Sequence, residues 1–123
     1  MSREQQTPGP DHPITIEKNP ARVTVRVGGK VVADTTAALM LRESNYPAVQ
    51  YIPLADVDQS LLTETETSTY CPFKGDASYY TVTTPDGELT DVTWTYHAPY
   101  EAVAPIADHL AFYANKVEIT TAS

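Results

Sequence analysis

The clearest pattern in the chain is an alternation of apolar and polar residues that predicts a β-hairpin. Val23, Val25 and Val27 stand at every second position, which places three β-branched side chains on one face of a strand. Residues 28–29 are both glycine and supply the positive φ angles of a two-residue turn. The returning strand is predicted over residues 30–33.

A second hairpin is predicted over residues 76–96. Its turn is the Pro-Asp-Gly sequence at residues 85–87. Val92, Trp94 and Tyr96 then alternate along the returning strand. The chain therefore contains two local antiparallel pairs.

Other segments carry weaker signals. Residues 48–52 lie between two prolines and suit a strand, and residues 63–70 suit a strand or an extended loop. Residues 37–43 have good helix propensity in a run too short to be stable alone, so a short helix and a buried strand both stay open. Residues 56–62 fit one helical turn, and residues 100–109 fit a helical segment that a proline interrupts.

Length and composition fit one mainly β domain. The chain has 123 residues, of which 41% are hydrophobic, and this is enough for a single core. We predict a compact single domain of short antiparallel strands and hairpins with one or two short helices over residues 14–123. Residues 1–13 contain three prolines and no apolar period, which predicts an extended lead-in.

Charge and cysteine content exclude several classes of partner and of structural site. The formal net charge of −8 argues against nucleic acid or an anionic membrane as the main partner. No apolar run approaches the roughly 20 residues of a membrane span, and residues 1–15 do not resemble a signal peptide, so we expect a cytoplasmic protein. The single cysteine rules out an internal disulfide, and the separated His12, His97 and His109 give no metal-ligand spacing. No common cofactor motif occurs, so the sequence names no cofactor.

Lys74 is the chemical outlier. It is the only lysine or arginine between Glu43 and Asn115, and it follows the only cysteine, Cys71, by three positions. A proline and Gly75 lie in the same segment, which predicts a tight turn. The ammonium suits a phosphate or carboxylate, and Gly75 would let that group approach the backbone. Cys71 is either a nucleophile that Lys74 activates or a small core residue.

Two further groups are candidates for a binding site. Arg42 and Glu43 form either a binding pair or a solvated pair of charges. Four aromatic residues line a pocket or pack in the core: Tyr51, Tyr79, Tyr80 and Trp94.

The residues resemble a known family, the proteins grouped as domain of unknown function 427 and sometimes labelled nucleotidyltransferase-like. The resemblance covers most of the chain and is strongest in the string TYCPFKGDASYY at residues 69–80. It also includes LRE at residues 41–43, YIP at residues 51–53, and Trp94.

The resemblance implies a mainly β domain whose motif residues converge on one pocket. Those residues are Arg42, Glu43, Tyr51, Thr69, Cys71, Lys74, Gly75 and Trp94. A nucleotidyltransferase usually gathers two or three carboxylates around magnesium. The sequence has no paired-aspartate motif, so Asp34, Glu43 and Asp76 could meet only through the fold.

Three functions follow as hypotheses. The first is a module that binds a small anionic ligand in a cleft lined by the segment at residues 69–75. The second is an enzyme that uses Cys71 as nucleophile, Lys74 as activator and Glu43 as general acid or base in the same cleft. The third is a non-catalytic interaction domain whose hairpin edges pair with a partner.

Overall fold

A computed structural model describes residues 5–122. Within them ten strands form two antiparallel sheets, and the helical content is limited to short 3-10 turns. The strands are β1 (Ile14–Asn19), β2 (Arg22–Val27), β3 (Lys30–Thr35), β4 (Ala38–Glu43), β5 (Val49–Pro53), β6 (Leu62–Cys71), β7 (Gly75–Thr84), β8 (Gly87–Thr95), β9 (His109–Phe112) and β10 (Glu118–Ala122). The 3-10 turns are Leu54–Asp56, Gln59–Leu61 and Glu101–Ile106. The prediction of a mainly β single domain is confirmed.

The larger sheet has seven strands in the order β1-β4-β5-β9-β8-β7-β6, and the smaller has three in the order β10-β2-β3. Both predicted hairpins are present. Val27 pairs with Lys30 across the glycine turn, where φ is 56° at Gly28 and 83° at Gly29. Those positive values explain why glycine occupies both positions.

The segment that could be helix or strand is strand β4. Its backbone pairs with β1 on one side, from Ala38 opposite Asn19 to Glu43 opposite Ile14, and with β5 on the other. Hydrogen bonds to two neighbouring strands satisfy main-chain donors and acceptors of β4. A helix of this length would not be stable without packing. Tertiary context therefore overrides the local helix propensity.

Two hydrophobic clusters form the core. The first joins the small sheet to the large one and includes Val23, Val25 and Ile52. The second includes Tyr51 and Tyr79 and contains no residue of the small sheet. Because successive strand residues point to opposite faces, neighbours such as Tyr51 and Ile52 belong to different clusters.

The lead-in is in contact with the domain, although its first four residues lie outside the described ones. The Gln6 amide donates to the Pro72 carbonyl at 2.8 Å, and Gly9 and His12 form an isolated bridge. Among residues 5–122 no helix is long and apolar enough to cross a bilayer.

Candidate functional site

A cavity of about 230 Å³ opens on the face of the large sheet that carries the second cluster. Its walls are mainly aromatic, and its two charged side chains are Glu43 and Lys74. The lining residues are Leu41, Glu43, Tyr46, Pro47, Val49, Tyr51, Lys74, Tyr79, Trp94, Tyr96 and Tyr113. Five candidates from the sequence therefore meet in one place: Glu43, Tyr51, Lys74, Tyr79 and Trp94.

Strand alternation decides which β4 residues reach the cavity. Leu41 and Glu43 both line it, whereas Arg42 lies between them and is exposed. The Arg42 guanidinium contacts the sulfur of Met40 at 3.7 Å. The structure therefore does not bring Arg42 to the candidate site.

A tight turn between β6 and β7 presents Lys74. The Lys74 amide donates to the Cys71 carbonyl at 3.1 Å, and the Lys74 carbonyl accepts from the Tyr100 amide at 3.0 Å. Gly75 follows with φ of 108°, a conformation that L side chains rarely adopt. Gly75 is buried and shapes this turn without lining the cavity.

Glu43 and Lys74 form an ion pair at the cavity. Lys74 Nζ donates to Glu43 Oε1 at 2.5 Å, and only 7% of Lys74 is exposed. β4 and β7 are four strand positions apart, roughly 19 Å along a flat sheet at about 4.8 Å per strand. That separation exceeds the combined reach of the two side chains, so the sheet curves and its cavity face is concave.

His12 is a third member of this cluster. Its Nε2 donates to Glu43 Oε2 at 2.7 Å, and its ring stacks on Phe73 with centroids 4.1 Å apart. Burial acts to raise the pKa of Glu43, but the hydrogen bonds and charges of Lys74 and His12 outweigh burial and lower it. Glu43 is therefore a carboxylate with both oxygens occupied. In the sequence, His12 has no metal-ligand spacing and no local link to Glu43, so its place in this cluster could not be predicted.

Tyrosine hydroxyls supply the remaining polar groups. Tyr51 Oη accepts a hydrogen bond from Trp94 Nε1 at 3.3 Å, and burial raises the pKa of Tyr51 to about 12. Burial raises the pKa of Tyr96 as well. Tyr79 Oη lies 2.9 Å from Thr69 Oγ1, so Thr69, which does not line the cavity, positions a residue that does.

Cys71 lies beside the cavity without being one of its lining residues. Its Sγ is 3.8 Å from Lys74 Nζ, and it packs against the second cluster with intermediate exposure. Tyr80, another aromatic candidate, packs against the first cluster instead.

The acidic residues considered for magnesium do not converge on the site. Asp34 pairs with Arg22 in the small sheet, and Asp76 is exposed on β7, so neither lines the cavity with Glu43. Nowhere in residues 5–122 do three His, Cys, Asp or Glu side chains lie together as a metal site would require. The geometry offers one ammonium, one carboxylate and several phenols.

The sequence model of the family described as Domain of unknown function (DUF427) matches residues 15–123. The chain belongs to the DUF427 family. No curated protein shows significant similarity to it. The DUF427 match begins at the second residue of β1, continues through β10 and includes every described lining residue of the cavity. His12, which completes the contacts of Glu43, precedes the matched region.

Proposed function

We propose that this DUF427 domain is a cytoplasmic protein that binds a small, singly charged acid in the Glu43–Lys74 cavity. The observation that carries the proposal is a nearly buried ammonium at the wall of a concave, aromatic-lined cavity. Concave sites with apolar walls and a few convergent polar groups are the usual form of small-molecule sites. Neither nucleic acid nor a membrane is its partner in this proposal.

Hydrogen-bond capacity supports an anionic head group. An ammonium has three N–H groups, and the contacts of the described residues direct two of them at Glu43 and Cys71. The third is available to a ligand. Tyr51 Oη already accepts from Trp94, and its high pKa keeps its proton in place, so Tyr51 can donate to the same ligand.

Net charge supports a single negative charge on the ligand. The charges of Lys74 and Glu43 cancel, so the ligand's own charge is the excess charge at the site. A carboxylate adds one negative charge beside Glu43, whereas a doubly charged phosphate adds two. Uncompensated charge in a partly desolvated site is costly.

A matched set of small molecules tests the proposal. Butyrate, butyramide and propylamine each carry a propyl chain and differ in head-group charge. We expect butyrate to bind, as measured by calorimetry, and the other two to bind at least tenfold more weakly. The variant Glu43→Gln keeps the side-chain volume and removes the competing carboxylate, so it should bind butyrate more tightly. Equal binding of all three compounds would contradict the proposal.

The contact between Cys71 and Lys74 favours an enzyme as a second candidate. An ammonium 3.8 Å from Sγ favours the thiolate, the form in which cysteine acts as a nucleophile. In this alternative Lys74 activates Cys71 and Glu43 acts as general acid or base. Native Cys71 would then react with iodoacetamide much faster than a model thiol, and replacing Lys74 would abolish the difference.

A further inference from the structure

A second, larger concavity adjoins the Glu43–Lys74 cavity. We call it the apolar groove; its volume is about 490 Å³, and none of the described residues that line it is charged. Its lining residues are Tyr46, Pro47, Ala48, Val49, Gln50, Trp94, Phe112, Tyr113, Ala114 and Ile119. The groove thus brings together β5, β8, β9 and β10, and with them both sheets.

The groove and the cavity share a wall. The residues common to both are Tyr46, Pro47, Val49, Trp94 and Tyr113. A molecule bound in either space therefore touches side chains that also line the other. This continuity indicates one extended site with a charged end and an apolar end.

Trp94 lies at the border between the two spaces. Its Nε1 donates to Tyr51, which lines only the cavity, and its ring contacts Tyr113 with centroids 4.7 Å apart at 50°. The Lys116 ammonium lies 5.4 Å from the Tyr113 ring centroid. Trp94 therefore lines both spaces, and its Nε1 is directed at a residue of the cavity.

Size favours a ligand that occupies both spaces. The cavity alone is smaller than the roughly 300–1,000 Å³ of typical ligand sites, whereas the groove falls within that range. An acid held at Lys74 with a short chain leaves the groove and its apolar side chains in water. A longer apolar tail would remove them from water and gain affinity.

We infer that the ligand is an amphiphilic monocarboxylic acid, with its carboxylate at Lys74 and its apolar tail across Trp94 in the groove. This inference rests on the proposed function and extends it to a substrate class.

A chain-length series read by tryptophan fluorescence tests the inference. Trp94 is the only tryptophan, so its emission reports on the border directly. Acetate, butyrate, hexanoate and octanoate are titrated into the full chain. Because each buried methylene contributes about 0.8 kcal/mol, we expect the dissociation constant to fall about fourfold per methylene until the groove is filled.

A pair of alanine variants separates the groove from the cavity. Ala114 lines only the groove and is exposed, so Ala114→Phe narrows the groove without touching the acid site. Ala122, an exposed alanine on β10 outside both spaces, provides the control Ala122→Phe. We expect Ala114→Phe to weaken octanoate binding at least tenfold and to weaken butyrate binding much less, and the control Ala122→Phe to change neither.

The outcomes distinguish the inference from the proposed function. Butyrate binding with no gain on lengthening the chain would overturn the inference and leave the proposed function standing. Octanol binding as tightly as octanoate, with no binding of acetate or butyrate, would overturn the proposed function. Absence of binding by every acid would overturn both, and an equal effect of the two phenylalanine variants would overturn the placement of the tail.

Discussion

Replacing Lys74 by methionine should destabilise the domain more than any surface substitution of similar size. Lys74→Met keeps the length and apolar character of the side chain and removes the charge. Glu43 then loses the ammonium 2.5 Å away and, among the described residues, keeps His12 as its hydrogen-bond partner. Because the Glu43 side chain is only 15% exposed, water cannot fully solvate the negative charge that has lost its partner.

The magnitude follows from burial. Removing one partner of a buried ion pair costs about 3–5 kcal/mol. Glu43 is partly exposed and keeps its contact with His12, so we expect a cost at the lower end, about 3 kcal/mol. For a domain of this size that corresponds to a fall in Tm of about 10 °C. Replacing both partners, as Lys74→Met with Glu43→Met, leaves neither the ammonium nor the carboxylate without its partner and should restore most of the loss, less the contribution of the His12 contact to Glu43.

Urea denaturation of the wild type, the two single variants and the double variant gives the free energies of unfolding for a double-mutant cycle. We expect a coupling energy of at least about 1.5 kcal/mol, within the range for directly contacting residues. A loss of unfolding free energy below about 1 kcal/mol for Lys74→Met, with no coupling to Glu43, would refute the claim that the two residues form a desolvated ion pair. Such values are typical of exposed ion pairs.

Three other predictions concern the turn, an exposed histidine and the cysteine. Gly75→Ala should destabilise the fold by about 1–3 kcal/mol because φ is 108° there, while Gly9→Ala, where nothing lies within 4 Å of the added Cβ, should change the unfolding free energy little. The Asp108 hydrogen bond raises the pKa of His97, so Asp108→Asn should lower that pKa in an NMR titration. The unfolding free energy of the variant should be lower than that of the wild type below the ordinary histidine pKa, and this difference should disappear as pH rises through the raised pKa of the wild type. Cys71→Ala should leave the calorimetric affinity for butyrate within twofold, because Cys71 does not line the cavity; a tenfold loss would mean that Cys71 contributes to acid binding.

The two hairpins could be predicted because their information is local. In the first hairpin, alternating valines determine which face of the strand is apolar, and a pair of glycines determines the turn and the strand register. The structure shows the expected pairing of Val27 with Lys30. The state of residues 37–43 could not be predicted, since β1 and β5 on either side of β4 decide it. Helix propensity in that segment is real, but it contributes less than two ladders of backbone hydrogen bonds.

The candidate site could be predicted only where the signal is local in the sequence. Charge placement along the chain identified Lys74, and the structure places it in the cavity with Glu43. Adjacency in the sequence groups Arg42 with Glu43. In a strand, however, neighbouring side chains point to opposite faces, so the assignment of residues 38–43 to β4 separates the two. His12 and Tyr46 carry no local signal, because only the packing of the lead-in and the curvature of the sheet bring them to the site.

The central claim is that Lys74 holds the head group of a small acid. Calorimetric titration of hexanoate into the wild type and into Lys74→Met/Glu43→Met tests it most directly, since the double variant removes both charges without leaving either unpaired. Its fold is verified by its urea transition before the titration. The account predicts binding to the wild type and at least tenfold weaker binding to the double variant. Equal affinity of the two proteins for hexanoate would contradict it.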